Sequence, residues 1–390
     1  MRTRTGDSCD RLRLIGCVLM VAVIAAPIAV RAAEGQLMRI GTALVPNSSA
    51  RHPFGEFDLS YVDSQRDLYL ISDVSNRAID VFRAKTGRFM FRIGGFRGRT
   101  PPGYARVGPT GVITIGNQVW ASDADSTVRV ADLRTRKIVG AIDTGGVARC
   151  DTLAYDPKDQ LVLVTNPDDT PRFATLISTE RSHRLVGRIV FPEVTGELEA
   201  SAWSAANGMF YLLLRELKGD LSRGAVAVID PRARKIVTTF PVDRCRPSGI
   251  ALDARADDRT MLIGCLGSVE LEGADAKRWA FRPQAMIIDA RSGAIVHVIE
   301  GISGSDQVWY NPGDDRYYIA AQGNPGGPIL AAVAARPPYG VSIAPTQAFA
   351  HSVAVDPSTD RAYVPFAPQP RKSTCQFGCI AIFAVRDNTG

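Results

Sequence analysis

Four carboxylates and one histidine occupy the same position of a recurring pattern: Asp58, Asp151, Glu199, Asp306 and His351. Each opens a short apolar run. In the clearest copies an Asp or Asn closes the run five residues later, at Asp63, Asp156, Asn311 and Asp356. Ser248, whose run ends at Asp253, and Thr110 or Gly111 fill the same position in two further copies. Hard cations such as Ca²⁺ require clustered carboxylate oxygens, and a histidine among carboxylates suits a transition metal such as Zn²⁺. Asp151, Glu199, Asp306 and His351 are therefore the candidate metal set. Together with Asp58 they are also candidate ligand-binding residues. A cation held there would support metal-dependent hydrolysis, and the acids alone could serve in acid–base catalysis. The plainer alternative is that short polar side chains at strand starts cap free backbone N–H groups.

Arg97 and Arg99 lie in a proline-containing loop, Gly94–Val107, and could meet an anionic ligand; solvated loop charge is the other reading. The chain has seven cysteines. Cys9 and Cys17 fall in an N-terminal segment of separate character. Cys245 precedes one expected strand and Cys265 follows its neighbour, so these two are paired as a disulfide. Cys375 and Cys379 share one loop and form the second pair. Cys150 is left unpaired beside Asp151, as a metal ligand, a nucleophile or a buried inert thiol. There is no GxSxG, HExxH, GxGxxG, P-loop or CxxCH motif, so nothing supports nucleophilic, nucleotide or haem-attachment chemistry.

The elements that position these residues are repeats. Seven units begin near residues 58, 110, 151, 199, 248, 306 and 351, about 49 residues apart. Within each, an apolar strand ends at an Asp/Asn turn, a second strand follows, and a third and fourth flank a polar turn. Four strands at that period describe a β-propeller blade. The expected fold is all-β: a seven-bladed β-propeller of four-stranded antiparallel blades. The seventh unit runs out of chain before its fourth strand. Leu37–Val45, an apolar segment without a unit of its own, is expected to supply that strand and close the ring. The longer connections fall on one face, where binding surfaces usually form.

Val226-Ala-Val-Ile-Asp-Pro-Arg-Ala-Arg-Lys-Ile-Val-Thr-Thr-Phe-Pro-Val242 resembles the YVTN-type propeller repeat of the YncE-like class, and Leu163-Val-Thr-Asn166 is close to its signature tetrapeptide. The resemblance spans the repeats as a pattern and implies an exported bacterial propeller. The acidic column is similar in position to the metal-ligand column of gluconolactonase-type propellers, which have six blades and other residues there. No Trp-Asp dipeptide of the WD40 kind is present.

The chain has 390 residues, with 46 Lys and Arg against 40 Asp and Glu, a formal charge of +6. Arg2, Arg4, Arg11 and Arg13 precede an apolar stretch at 14–30 and then Val30-Arg31-Ala32. That order reads as a secretory signal peptide over 1–32 cleaved near Ala32, leaving 33–390 as a single propeller domain in the periplasm or medium. Half of the positive excess belongs to this segment. The rest is scattered without interleaved aromatics, which argues against nucleic acid as a partner. No other apolar run reaches 18 residues, so no membrane span is expected after cleavage. The sequence therefore reads as an exported monomer, more a scaffold than an enzyme, binding a protein or small-molecule ligand through its long-loop face and channel mouth. A metal-dependent hydrolase or lactonase is one alternative. A propeller subunit of a periplasmic redox complex, by analogy of fold, is another.

Overall fold

The computed structural model describes residues 35–97, 108–180, 182–255, 259–269, 278–279, 281–369 and 374–386. The expected signal peptide and Arg99 lie outside these residues. Ala33–Gly390 forms one compact unit.

Seven four-stranded antiparallel sheets make the ring, and every described element is a strand. The innermost strands are Ser60–Asp63, Val112–Ile115, Leu153–Asp156, Leu198–Trp203, Pro247–Leu252, Val308–Asn311 and Ala354–Asp356. In blades one to six each pairs outward in sequence order with the next three strands of its blade. An extra two-stranded ribbon, Ser268–Val269 with Arg278–Trp279, rises from the long loop of blade five and was not anticipated.

The turn chemistry follows from the residues that end the strands. Asp156 Oδ1 accepts from Lys158 N (2.8 Å) and Asp159 N (3.1 Å), and Asn311 Oδ1 accepts from Gly313 N (3.2 Å). Short side-chain acceptors of this kind replace the missing ladder partners and fix the reversal. In blades one to five the third and fourth strands share a register slip, as at Val81/Phe82 and Ile287/Ile288. A bulge there increases twist, which a blade needs as it fans away from the axis.

Second and third strands are buried on both faces because each blade is covered by two neighbours. Leu70, Val81 and Ile93 of blade one pack in one cluster with Val119 and Ala121 of blade two. Similar clusters join blades four and five around Leu213, Val226 and Ile263, and blades five and six around Ile287, Tyr317 and Ile319. Each fully buried aliphatic side chain of this kind contributes roughly 1.5–3 kcal/mol.

The ring closes as expected. Gln36–Leu44 pairs antiparallel with Cys379–Arg386, from Gln36 opposite Arg386 to Leu44 opposite Cys379. It is the outermost strand of blade seven. A second tie lies at the axis. Gln307 of blade six reaches past blade seven to blade one: its Oε1 accepts from Ser352 Oγ (2.7 Å), Val353 N (3.1 Å) and Ser60 N (3.2 Å), and its Nε2 donates to Ser60 O (2.7 Å). The seam is thus fastened at both its inner and outer edges.

Candidate site at the channel mouth

The innermost strands begin on the face that carries the connections between blades and the loops after each second strand. Their starts surround a cavity of about 880 Å³. Asp58, Asp151, Glu199, Asp306 and His351 all line it, with Gly111 and Ser248 completing the repeat column. Thr110 turns away: it is buried, and its hydroxyl donates to Cys150 O (2.9 Å). Hydroxyls also anchor the site backbone from blade to blade. Ser122 Oγ donates to Asp151 O, and Thr152 Oγ1 donates to Glu199 O (3.0 Å).

Two arginines that the sequence pattern did not single out enter the same cavity. Arg149, two residues before Asp151, bonds Asp151 Oδ2 (2.6 Å), Asp168 Oδ2 (2.8 Å) and Glu197 Oε2 (3.3 Å). Arg215, immediately after the strand Phe210–Leu214, pairs with Glu197 Oε1 (3.1 Å) and Glu199 Oε1. Glu197 therefore bridges the two guanidiniums. Their side chains are only 13% and 18% exposed, so these are enclosed charges whose desolvation the partners must offset. Burial opposes the charge on Arg149, but Asp151, Asp168 and Glu197 outweigh it and hold the guanidinium well above its ordinary pKa. Burial raises Glu199 well above the usual carboxylate range against the pull of Arg215, and raises Asp151 against that of Arg149.

A second group spans blades six, seven and one. His351 Nδ1 faces Asp306 Oδ2 at 3.1 Å, an ion-pair contact and not a well-aligned hydrogen bond. Its Nε2 lies 3.1 Å from Phe57 O, and its ring stacks on Phe57 with centroids 5.5 Å apart. Burial would lower the imidazole pKa, but Asp306 and Asp58 raise it to about 9. Burial likewise pushes Asp306 up, yet His351, Arg215 and Arg149 together bring it below its ordinary value. Asp58 behaves oppositely: burial and the charge of Asp151 raise it to about 7, against His351 and Arg149. Asp58 is half-buried and lines the cavity.

These contacts decide between the expectations for the acidic column. The carboxylates do not cap strand N–H groups; they meet guanidinium, imidazole and the Ser248 hydroxyl, which lies 3.4 Å from both Glu199 Oε2 and Asp306 Oδ1. The donor set Asp151, Glu199, Asp306 and His351 also fits a cation poorly. Arginines occupy Asp151 and Glu199, His351 faces Asp306 as a cation, and among the described residues no three Asp, Glu, His or Cys groups converge for a metal. Arg97 is not brought to the cavity. Its side chain is 67% exposed and pairs with Asp125 Oδ2 at 3.0 Å. Cys150 is buried, with Sγ 3.1 Å from Thr127 O, and burial pushes its thiol far above the ordinary range. That leaves it neither ligand nor nucleophile. Cys245–Cys265 and Cys375–Cys379 are both disulfides.

Deeper in the channel the lining becomes aromatic. Tyr61 and Trp309 meet edge to face at 5.7 Å, and Trp203 presents an indole N–H without a partner. A signal for two of these was present: Tyr61 and Trp309 stand at one repeat position, three residues after Asp58 and Asp306. Asp168 and Glu197 had no such marker.

No protein-family model matches the sequence. A search of curated proteins finds no match. Solved structures share the fold. Hydrazine synthase of Kuenenia stuttgartiensis is similar with a TM-score of 0.62 and 13% identity, over 83% of this chain and 96% of that one. The Pan2 WD40 domain of Neurospora crassa is similar with a TM-score of 0.64 and 10% identity, over 90% and 96%. At these identities the likeness establishes the propeller fold alone.

Proposed function

We propose that this chain is an exported, non-catalytic propeller that binds a small polar ligand in its channel mouth, of the YVTN-type, YncE-like class that its repeats resemble. One observation carries this reading: an open-mouthed cavity of about 880 Å³ whose charged lining is held in place before any ligand arrives, by two mostly buried arginines sharing Glu197. Preorganised polar groups in a concave site lower the cost of binding. Export is supported by two disulfides, which persist in oxidising compartments, and by the basic-then-apolar N-terminal segment. A metal-dependent hydrolase is the weaker reading because arginines occupy the carboxylates it needs. A redox role rests on fold analogy only. No helix of the described residues is long and apolar enough to cross a membrane.

The test is a thermal-shift screen of the purified protein against cationic, neutral and anionic small molecules, repeated with Asp306→Asn. At least one class should raise the melting temperature saturably in the wild type and lose that effect in the variant. Absence of saturable stabilisation by any class would refute small-ligand binding at the mouth.

A further inference from the structure

The reading above leaves the ligand's chemistry open, and the distribution of charge in the cavity narrows it. Six carboxylates line the cavity against two guanidiniums and one imidazole. The cations are spent in a definite way. Arg149 serves Asp151, Asp168 and Glu197; Arg215 serves Glu197 and Glu199; His351 serves Asp306. Asp58 is left over. Its carboxylate has no hydrogen-bond or ion-pair partner among the described residues, although Asp58 is half-buried and borders the cavity. A half-buried carboxylate that no donor contacts is costly even with His351 and Arg149 acting on it from a distance, and folding alone gives no reason to keep one. The raised pKa of Asp58 reports that same cost.

Asp58 and Asp306 flank His351 around the axis, because the innermost strands of blades one and six both pack on that of blade seven. Three residues along the same two blades, about 10 Å deeper at the usual strand rise, lie Tyr61 and Trp309. The cavity therefore combines more carboxylates than basic side chains at its mouth with aromatic faces below. Aromatic faces attract cations and stack on planar groups.

Resting on the small-ligand reading, we propose that the channel binds an organic cation, an amine or guanidinium carried on an aromatic body, with its charged head between Asp58 and Asp306 and its body against Tyr61 and Trp309. The head would supply the donors that Asp58 lacks. The anchored carboxylates behind Arg149 and Arg215 keep the field negative without competing for that head. An anionic ligand would meet unpaired carboxylate at the mouth and be repelled.

Isothermal titration calorimetry at pH 7.5 tests this with four probes: phenethylamine, benzamidine, 2-phenylethanol and 3-phenylpropionate. The expected result is saturable binding of the two cations, at least tenfold weaker binding of the neutral alcohol, and none of the carboxylate. Asp58→Asn should weaken phenethylamine at least tenfold, with circular dichroism confirming the fold. Asp306→Asn provides a second readout in the same direction. If the alcohol or the carboxylate binds as well as the amines, the cationic assignment is overturned and small-ligand binding stands. If neither cation binds, the assignment is overturned, and the broader thermal-shift screen then decides the parent reading separately.

Discussion

Arg149→Met is the sharpest probe of the channel-mouth framework. Methionine keeps much of the side-chain volume and removes the charge that serves Asp151, Asp168 and Glu197 at 2.6, 2.8 and 3.3 Å. Removing one partner of an enclosed ion pair costs about 3–5 kcal/mol, because the other partner stays buried and uncompensated. Unfolding entropy scales with chain length, so for a propeller of this size the cost corresponds to a melting-temperature loss of roughly 4–7 °C. The loss should depend on acidity with a definite sign. Asp151, already raised by burial and then without Arg149 to oppose it, takes up a proton more readily at low pH, so the gap between variant and wild type should narrow by half or more near pH 4.5. Differential scanning calorimetry of both proteins across pH 4.5–8 reads this directly. An unchanged melting temperature at pH 7.5, or an equal loss at both ends of the range, would show that Arg149 is not the electrostatic keystone described above.

Asp58 rises from its ordinary 3.8 to about 7. Between those values the folded state keeps a proton that the unfolded chain has released, so its contribution to stability falls as pH rises across that window. Asp58→Asn should therefore melt above wild type at pH 8 and match it near pH 4. His351, raised to about 9, contributes stability that is full below about 6.5 and lost as pH rises through 9, so His351→Gln should flatten melting curves in that upper window. Gln307→Leu removes the amide that joins Ser60, Ser352 and Val353 across the seam and strands their polar groups. A loss of about 2–3 kcal/mol is expected, together with faster amide exchange in Ala354–Asp356, and unchanged exchange there would contradict the seam role. The Cys245–Cys265 bond closes a loop of 20 residues. Replacing both cysteines by alanine should cost about 3 kcal/mol in chemical denaturation, and an unchanged midpoint would contradict that.

The ring was legible because a propeller writes its period into the chain. Asp63, Asp156, Asp253, Asn311 and Asp356 mark one turn five times, and with the weaker copies near Thr110 and Glu199 they give seven units. The closing strand was legible by subtraction, since Leu37–Val45 had apolar character and no unit of its own. The acidic column followed from the same alignment, because equivalent positions in a ring must face one axis. Its chemistry was hidden. Arginine supplies 39 of the 46 basic residues, so nothing in composition singles out Arg149 and Arg215. Their role depends on side chains turning inward from a connection and from a strand end, which no periodicity encodes. That inward turn makes the candidate cation column a braced carboxylate framework. The same limit applies to Arg97, whose loop position suggested a ligand contact and whose side chain instead pairs with Asp125.

The pairing of Gln36–Leu44 with Cys379–Arg386 also sets an order of events during synthesis. The first strand of the ring to emerge has as its partner the last one made. Until then its ladder groups have no native neighbour, and neither does the edge of blade seven. Completion of the channel mouth is tied to that final pairing, because His351 sits on the blade it completes. Ligand binding at the mouth would then report that the ring has closed.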